Sequence, residues 1–177
     1  MEIPSSPDPI SDPRGYQQHL LGLLGEDDPA EVQGGTAASF RALLEVAGSD
    51  ATVNPEPTEW SVVQCLAHLT DGEMVVSARY RWILAEDEPP LVGYDQDLWG
   101  RMLHTPPESP DEFLAVFEPL RAANITLWRR TPDDRRQRVG MHAERGPESY
   151  DLTFRLAAGH DRFHLAQAER ALEAVRG

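Results

Sequence analysis

The chain has 177 residues, the size of one ordinary domain, and its 30 acidic against 16 basic residues give a formal net charge of −14. That balance argues against nucleic acid and anionic membrane surfaces as partners, because phosphate contacts need concentrated positive charge. A single cysteine, Cys65, and the absence of lysine exclude a disulfide scaffold, a cysteine-only zinc site and lysine Schiff-base chemistry.

The chain opens without the basic start or apolar run of a signal peptide. No later stretch approaches the ~18 apolar residues of a membrane span, so a cytoplasmic protein is expected. Residues 1–15 are proline-rich and read as a flexible leader, with residues 16–177 as one domain. Tyr16 to Gly25 carries Leu20, Leu21, Leu23 and Leu24, a short apolar helix closed by glycine. Pro29 to Ala47 reads as a second short helix, with Phe40, Leu43, Leu44 and Val46 as its apolar side and an interruption or bend at Gly34-Gly35. Asn54 to Trp60 is an extended connector, since residues before proline avoid the helical region. Ser61 with Gln64 then forms a capping box that opens the clearest helix, running to about Ala85 and stopping before Pro89-Pro90. Its inward stripe is Cys65, His68, Leu69, Gly72, Val76 and Ile83.

A second capping box, Ser109 with Glu112, has Pro110 in the first helical position and opens a helix to about Arg130. Its apolar face is Phe113, Val116, Phe117, Leu120, Leu127 and Trp128, and Pro119 inside it predicts a kink or a break. Arg129, Arg130, Arg135, Arg136 and Arg138 fall in a polar connector, a solvated loop or an anion site. Gly140 to Gly146 is a loop or short hairpin holding His142, and the last helix runs from about Ser149 to Val175. Three long amphipathic helices and one or two shorter ones, without strand alternation, make an all-α bundle.

His160 and His164, four residues apart, share one helix face roughly 6 Å from each other, the spacing used by the H-E-x-x-H zinc helices. Their side also carries Leu156, Ala157 and Ala171, so both point inward, and a buried imidazole needs partners for two nitrogens. Metal ligation satisfies one nitrogen of each ring, and Asp161 or Gln167 could orient the other. His68, inside the most apolar helix with Gly72 leaving room one turn on, is either a third ligand or a core histidine. Three neutral imidazoles suit Zn²⁺, Ni²⁺, Fe²⁺ or Cu²⁺ and leave a coordination position open for water or substrate. His142 could serve as an acid or base from its loop, or simply make a loop hydrogen bond. Arg79 lies almost on the His68 face, about 16 Å along the axis, and could bind an anionic end of a substrate or pair with a core carboxylate. Glu73, about 140° round the helix from His68, takes a surface or interhelix partner. Cys65 either reaches the metal or is a small buried apolar residue; His104 is structural or solvated, and His19 has no obvious partner.

Three runs, Glu59-Trp60-Ser61-Val62, Ala67-His68-Leu69-Thr70-Asp71-Gly72-Glu73 and Gly159-His160-Asp161-Arg162-Phe163-His164-Leu165-Ala166-Gln167, resemble the DinB superfamily. The similarity is nearest its YfiT-like branch of metal-dependent hydrolases and thiol transferases. Arg79-Tyr80-Arg81, Tyr94 to Trp99, Arg121-Ala122-Ala123-Asn124 and Gly140-Met141-His142 extend it over most of the chain after Tyr16. The resemblance implies an all-α four-helix bundle with up-down-down-up connections and extra short N-terminal helices, one divalent metal held by His68, His160 and His164, and a homodimer. It also implies an enzyme that transfers a low-molecular-weight thiol to a small electrophile, as its bacillithiol- or mycothiol-dependent members do, or that hydrolyses it. The alternative is a non-catalytic, stress-related metal-binding bundle, which requires a fourth protein ligand, Cys65 or a carboxylate, to close the site.

Overall fold

In the computed structural model, which describes Pro7 and residues 11–104 and 109–177, most of the helices begin at residues whose side chains satisfy the free amides of a first turn. Helix α1 (Pro13–Leu24) starts three residues before the expected Tyr16, because Asp12 accepts from the Gly15 N–H and Pro13 takes the first helical position. The rest of the expected leader lies mostly outside the described residues. Asp28 opens α2 (Pro29–Ala47) in the same way, accepting from the Ala30 N–H at 2.7 Å. A 3₁₀ turn (Gly48–Thr52) follows, and then α3 (Val62–Ala85). The expected capping box of α3 is present: Gln64 N–H donates to Ser61 Oγ at 3.2 Å, and Ser61 N–H to Gln64 Oε1 at 3.0 Å. The remaining elements are β1 (Pro90–Leu91), α4 (Gln96–Leu103), α5 (Pro110–Arg130), α6 (Asp133–Arg136), β2 (Val139–His142), β3 (Gly146–Ser149) and α7 (Tyr150–Arg176).

The bundle is made by α2, α3, α5 and α7, which bury two apolar cores with a polar layer between them. One core holds Phe40, Val63, Leu66, Phe117 and Leu172; the other holds Ala30, Ile83, Ile125, Trp128 and Phe154. The order in which each helix meets the cores gives its direction. Helices α3 and α5 start in the first core and end in the second, whereas α2 and α7 run the opposite way. In chain order this is up, down, down, up, with α2 and α3 diagonal to each other and α7 packed beside both. The buried polar layer contains Thr36, Glu73, Ser77, Arg121, Asn124 and Asp161.

Two expected breaks are absent. Helix α2 passes through Gly34-Gly35 without interruption, since packing against α5 and α7 outweighs a propensity cost of about 1 kcal/mol per glycine. Helix α5 is continuous across Pro119, because Pro119 and Ala115, whose carbonyl loses its donor, both face solvent where water replaces the missing bond. Beside the helices stands a small sheet: β1 pairs parallel with β2 (Leu91 opposite His142), and β2 pairs antiparallel with β3 (Val139 opposite Ser149). Strands of two to four residues are too short for alternation to be read.

The arginine-rich connector contains the short helix α6, and its Arg129, Arg130 and Arg135 are exposed, as expected of a solvated segment. Arg135 Nη2 donates to the Leu84 carbonyl at 2.8 Å and Arg138 Nε to the Ile83 carbonyl at 2.9 Å, closing the carbonyl end of α3, whose last turn has no basic residue of its own. Arg136 lies over the Trp128 ring at 4.0 Å. Among the described residues, no helix is long and apolar enough to cross a membrane.

Helix α1 packs on α7 at Gly159, where an added Cβ would fall 2.0 Å from the Leu20 backbone oxygen. Gly159→Ala is therefore expected to cost at least about 1–3 kcal/mol by forcing the two backbones apart. The measurement is a lower urea midpoint with an unchanged slope.

Candidate metal centre

Antiparallel packing of α3 on α7 brings the three predicted histidines to one point. His68 Nε2 lies 3.0 Å from His160 Nε2, His164 Nε2 lies 3.1 Å from it, and the three ligand atoms are all within 4.8 Å of one another. The Trp60 ring covers them, its centroid 4.9 Å from that of His68 and 5.8 Å from that of His164. Gln167 Oε1 accepts from His164 Nδ1 at 2.8 Å, which leaves the His164 Nε2 lone pair facing the centre. Of the two orienting residues considered, Gln167 therefore takes that place, while Asp161 turns to Arg121 and Thr36.

Burial is the main reason that all three imidazoles are held well below the ordinary histidine pKa, and the neighbouring rings add to it. Neutral rings pointing lone pairs at a common centre cannot satisfy one another fully, whereas a cation satisfies all three. With zinc–nitrogen bonds of about 2.0–2.1 Å, tetrahedral ligand nitrogens stand roughly 3.3 Å apart, close to the two separations seen. Among the described residues no fourth ligand joins. Cys65 sits in the apolar core with its thiol pushed up to about 12 by burial, and Asp71 is taken by His104 Nε2 at 2.8 Å. His104 is thus buried and structural, and His19 sets its ring edgewise on Phe163 at 5.9 Å.

The centre opens on a cavity of about 480 Å³ to which His68 and His160 contribute. Gly72 keeps the approach clear: a Cβ there would touch the Tyr94 hydroxyl at 3.6 Å and His160 Cε1 at 3.9 Å. Tyr94, in the loop between β1 and α4, is a site residue that periodicity could not find. Burial raises its pKa, with Asp71 adding, so its hydroxyl stays protonated and can donate.

His142 reaches the same cavity from β2 and is not part of the triad. Its Nδ1 accepts from the Glu144 N–H at 3.2 Å, so the loop hydrogen bond exists alongside the cavity position. Burial first, and Arg145 next, lower its pKa to about 4, leaving a neutral ring at neutral pH. A histidine depressed in the fold binds a proton more readily in the unfolded chain, whose value is about 6.5. The stability it confers is thus complete above about pH 6.5 and lost as pH falls toward 4. His142→Gln should flatten the decline of the urea midpoint between those two pH values.

Glu73 does find an interhelix partner, but inside the molecule. Arg121 Nη2 lies 2.8 Å from Glu73 Oε2, and Asn124 Nδ2 donates to Glu73 Oε1 at 2.7 Å. The same Arg121 pairs with Asp161 through both terminal nitrogens, and Thr36 Oγ1 donates to Asp161 Oδ2 at 2.7 Å. This network ties α2, α3, α5 and α7 together, and its Glu73, Arg121 and Asp161 line the same cavity as His68 and His160. Arg79 also borders the cavity, donating Nη2 to the Val92 carbonyl; among the described residues it has no carboxylate partner.

The model of the DinB superfamily matches residues 34–168. Two curated relatives, each named "Putative metal-dependent hydrolase", are YfiT of Bacillus subtilis (strain 168) and OB0782 of Oceanobacillus iheyensis. YfiT is 27% identical over 112 residues, 60% of this chain and 61% of its own length. OB0782 is 28% identical over 108 residues, 60% of this chain and 62% of its own length. The chain thus matches less than two thirds of the length of either relative. The solved structure of Bacillus subtilis YfiT, a protein with an unusual four-helix bundle topology, superposes with a TM-score of 0.74 at 18% identity, covering 97% of this chain and 91% of that one. At that identity the likeness carries the fold, while the histidine cluster stands on its own geometry. With a match that runs from within α2 past His164, the chain belongs to the DinB superfamily.

Proposed function

We propose that this chain is a metal-dependent enzyme in which His68, His160 and His164 hold one divalent ion (zinc, nickel or iron) at a cavity that admits a small electrophilic substrate. Transfer of a low-molecular-weight thiol to that substrate is the first reading; hydrolysis is the second, favoured by the names of the relatives. The observation that carries the proposal is the convergence of three neutral imidazoles within 4.8 Å beside a cavity of about 480 Å³. A divalent ion on three uncharged ligands keeps its full charge and supplies the acidity that ionises a water or thiol near neutral pH.

The chain's own residues do the remaining work. Gln167 holds the His164 tautomer, and Trp60 keeps water from one side of the rings. Tyr94 offers a protonated hydroxyl on the cavity wall at Gly72, able to stabilise charge that develops on a substrate oxygen. His142, neutral in the cavity, is available to take up a proton. The lack of a fourth ligand among the described residues favours this reading over a closed, non-catalytic metal site. A net charge of −14 supports small molecules, rather than nucleic acid or membrane, as partners. The family resemblance supports action as a homodimer.

Elemental analysis of protein never exposed to a nickel column, before and after chelation, tests the proposal. About one equivalent of one metal is expected, and thiol consumption and hydrolysis are then assayed with that metal in place. No metal, together with no uptake of zinc, nickel or iron on titration, would overturn it.

A further inference from the structure

Three arginines border the cavity, and two of them are neutralised. Arg121 faces Glu73 and Asp161, and Arg145 is paired with Glu148. Arg79 is only 6% exposed, yet among the described residues no carboxylate lies within ion-pair distance of it. Its Nη2 donates to the Val92 carbonyl, while its buried Nε has no hydrogen-bond partner among the described residues. A guanidinium cannot shed its proton near neutral pH, and burying its charge without a counter-ion is costly. Glu148 acts on Arg79 only at a distance and is itself paired with Arg145, while Asp95 and Glu144, which also line the cavity, are not within ion-pair distance of Arg79.

We infer that Arg79 binds an anionic group of the substrate, so that the cavity takes an elongated small molecule with a carboxylate or phosphate at one end and its reactive centre at the other. The second half of this statement rests on the proposed function. Along α3, His68, Gly72, Val76 and Arg79 form one stripe on the cavity wall. Arg79 follows His68 by eleven residues, within about 20° of the same face and about 16 Å along the axis. Side chains tilt toward the helix N-terminus, so the guanidinium leans back toward the triad and shortens that gap. Between the two ends, Gly72 gives room and Val76 gives an apolar surface, which suits an uncharged middle. The planar fork of donors matches two oxygens of one oxyanion.

Calorimetric titration of the metal-loaded full chain with glutarate and with inorganic phosphate, at constant ionic strength and with glutaramide as the neutral control, tests the inference. One of the two anions should bind with one-to-one stoichiometry while glutaramide does not, and whichever binds identifies a carboxylate or a phosphate. Arg79→Met should weaken that binding at least ten-fold with metal content unchanged, and Arg79→Lys should retain part of it. Arg79→Met removes an unpaired buried charge and is expected to fold; circular dichroism and metal content verify this. Absence of saturable binding by either anion overturns the inference, as does equal binding by Arg79→Met, which would put the anion on the metal. Loss of metal in His160→Ala with anion binding intact supports it, and an anion response in wild-type protein that takes up no metal would sink the proposed function while leaving this site standing.

Discussion

Replacing Arg121 by methionine is expected to destabilise the fold by about 3–5 kcal/mol, the cost of leaving buried charges without their partner. Glu73 is 2% exposed and Asp161 3% exposed, and they come from different helices, α3 and α7. Burial disfavours the Arg121 charge, but the two carboxylates outweigh that and hold its pKa above the ordinary value. Burial already raises the Glu73 pKa, and Arg121 is the main influence opposing the rise. Without the guanidinium, two carboxylates would share one buried layer with Thr36 and Asn124 as their side-chain donors among the described residues. An acid whose pKa is raised in the fold confers stability below its unfolded value and loses it as pH rises through the folded value. The deficit of Arg121→Met should therefore be larger at pH 7 than at pH 5, read as the difference in urea midpoints. A variant as stable as wild type at both pH values would show that the network contributes nothing. Methionine at position 121 combined with Glu73→Gln should recover part of the loss, because one stranded charge is removed with its partner.

His160→Ala, and separately His164→Ala, should abolish stoichiometric metal while leaving a helical protein. Each ring supplies one of the three nitrogens at the centre, and His160 stands between the other two. Gln167→Ala should be milder, with a metal affinity reduced roughly 10–100-fold, because it frees the His164 tautomer without deleting a ligand. Elemental analysis with far-ultraviolet circular dichroism reads both results. Full metal occupancy in either histidine variant would make the ligand assignment wrong.

Much of the fold was legible because its signals are local. Ser61 with Gln64, Asp28 with Pro29 and Pro110 satisfy or remove the free amides of a first turn within a few residues, so helix starts can be read without knowing what packs on them. The histidine pair of α7 was legible for the same reason, since residues four apart share a face in any helix. The third histidine, His68, rested on its apolar surroundings and on the family resemblance, and the antiparallel contact of α3 with α7 brings it to the pair.

Other features depend on groups that are distant in the chain. Arg121 and Asn124 occupy the inward face of α5, where a polar residue reads as a gap in the apolar stripe until Glu73 and Asp161 are placed opposite. Gly34-Gly35 and Pro119 look like helix breakers because propensity describes an isolated helix; tertiary packing carries α2, and solvent satisfies the freed carbonyl of α5. Tyr94 enters the cavity from a loop, which has no period to follow. Composition and caps are properties of neighbours along the chain, so the residue order was enough for the helices and the histidine pair. Whether a buried charge finds a counter-ion is a property of neighbours in space. Arg121 with two carboxylates and Arg79 with none could be told apart only once the helices had packed.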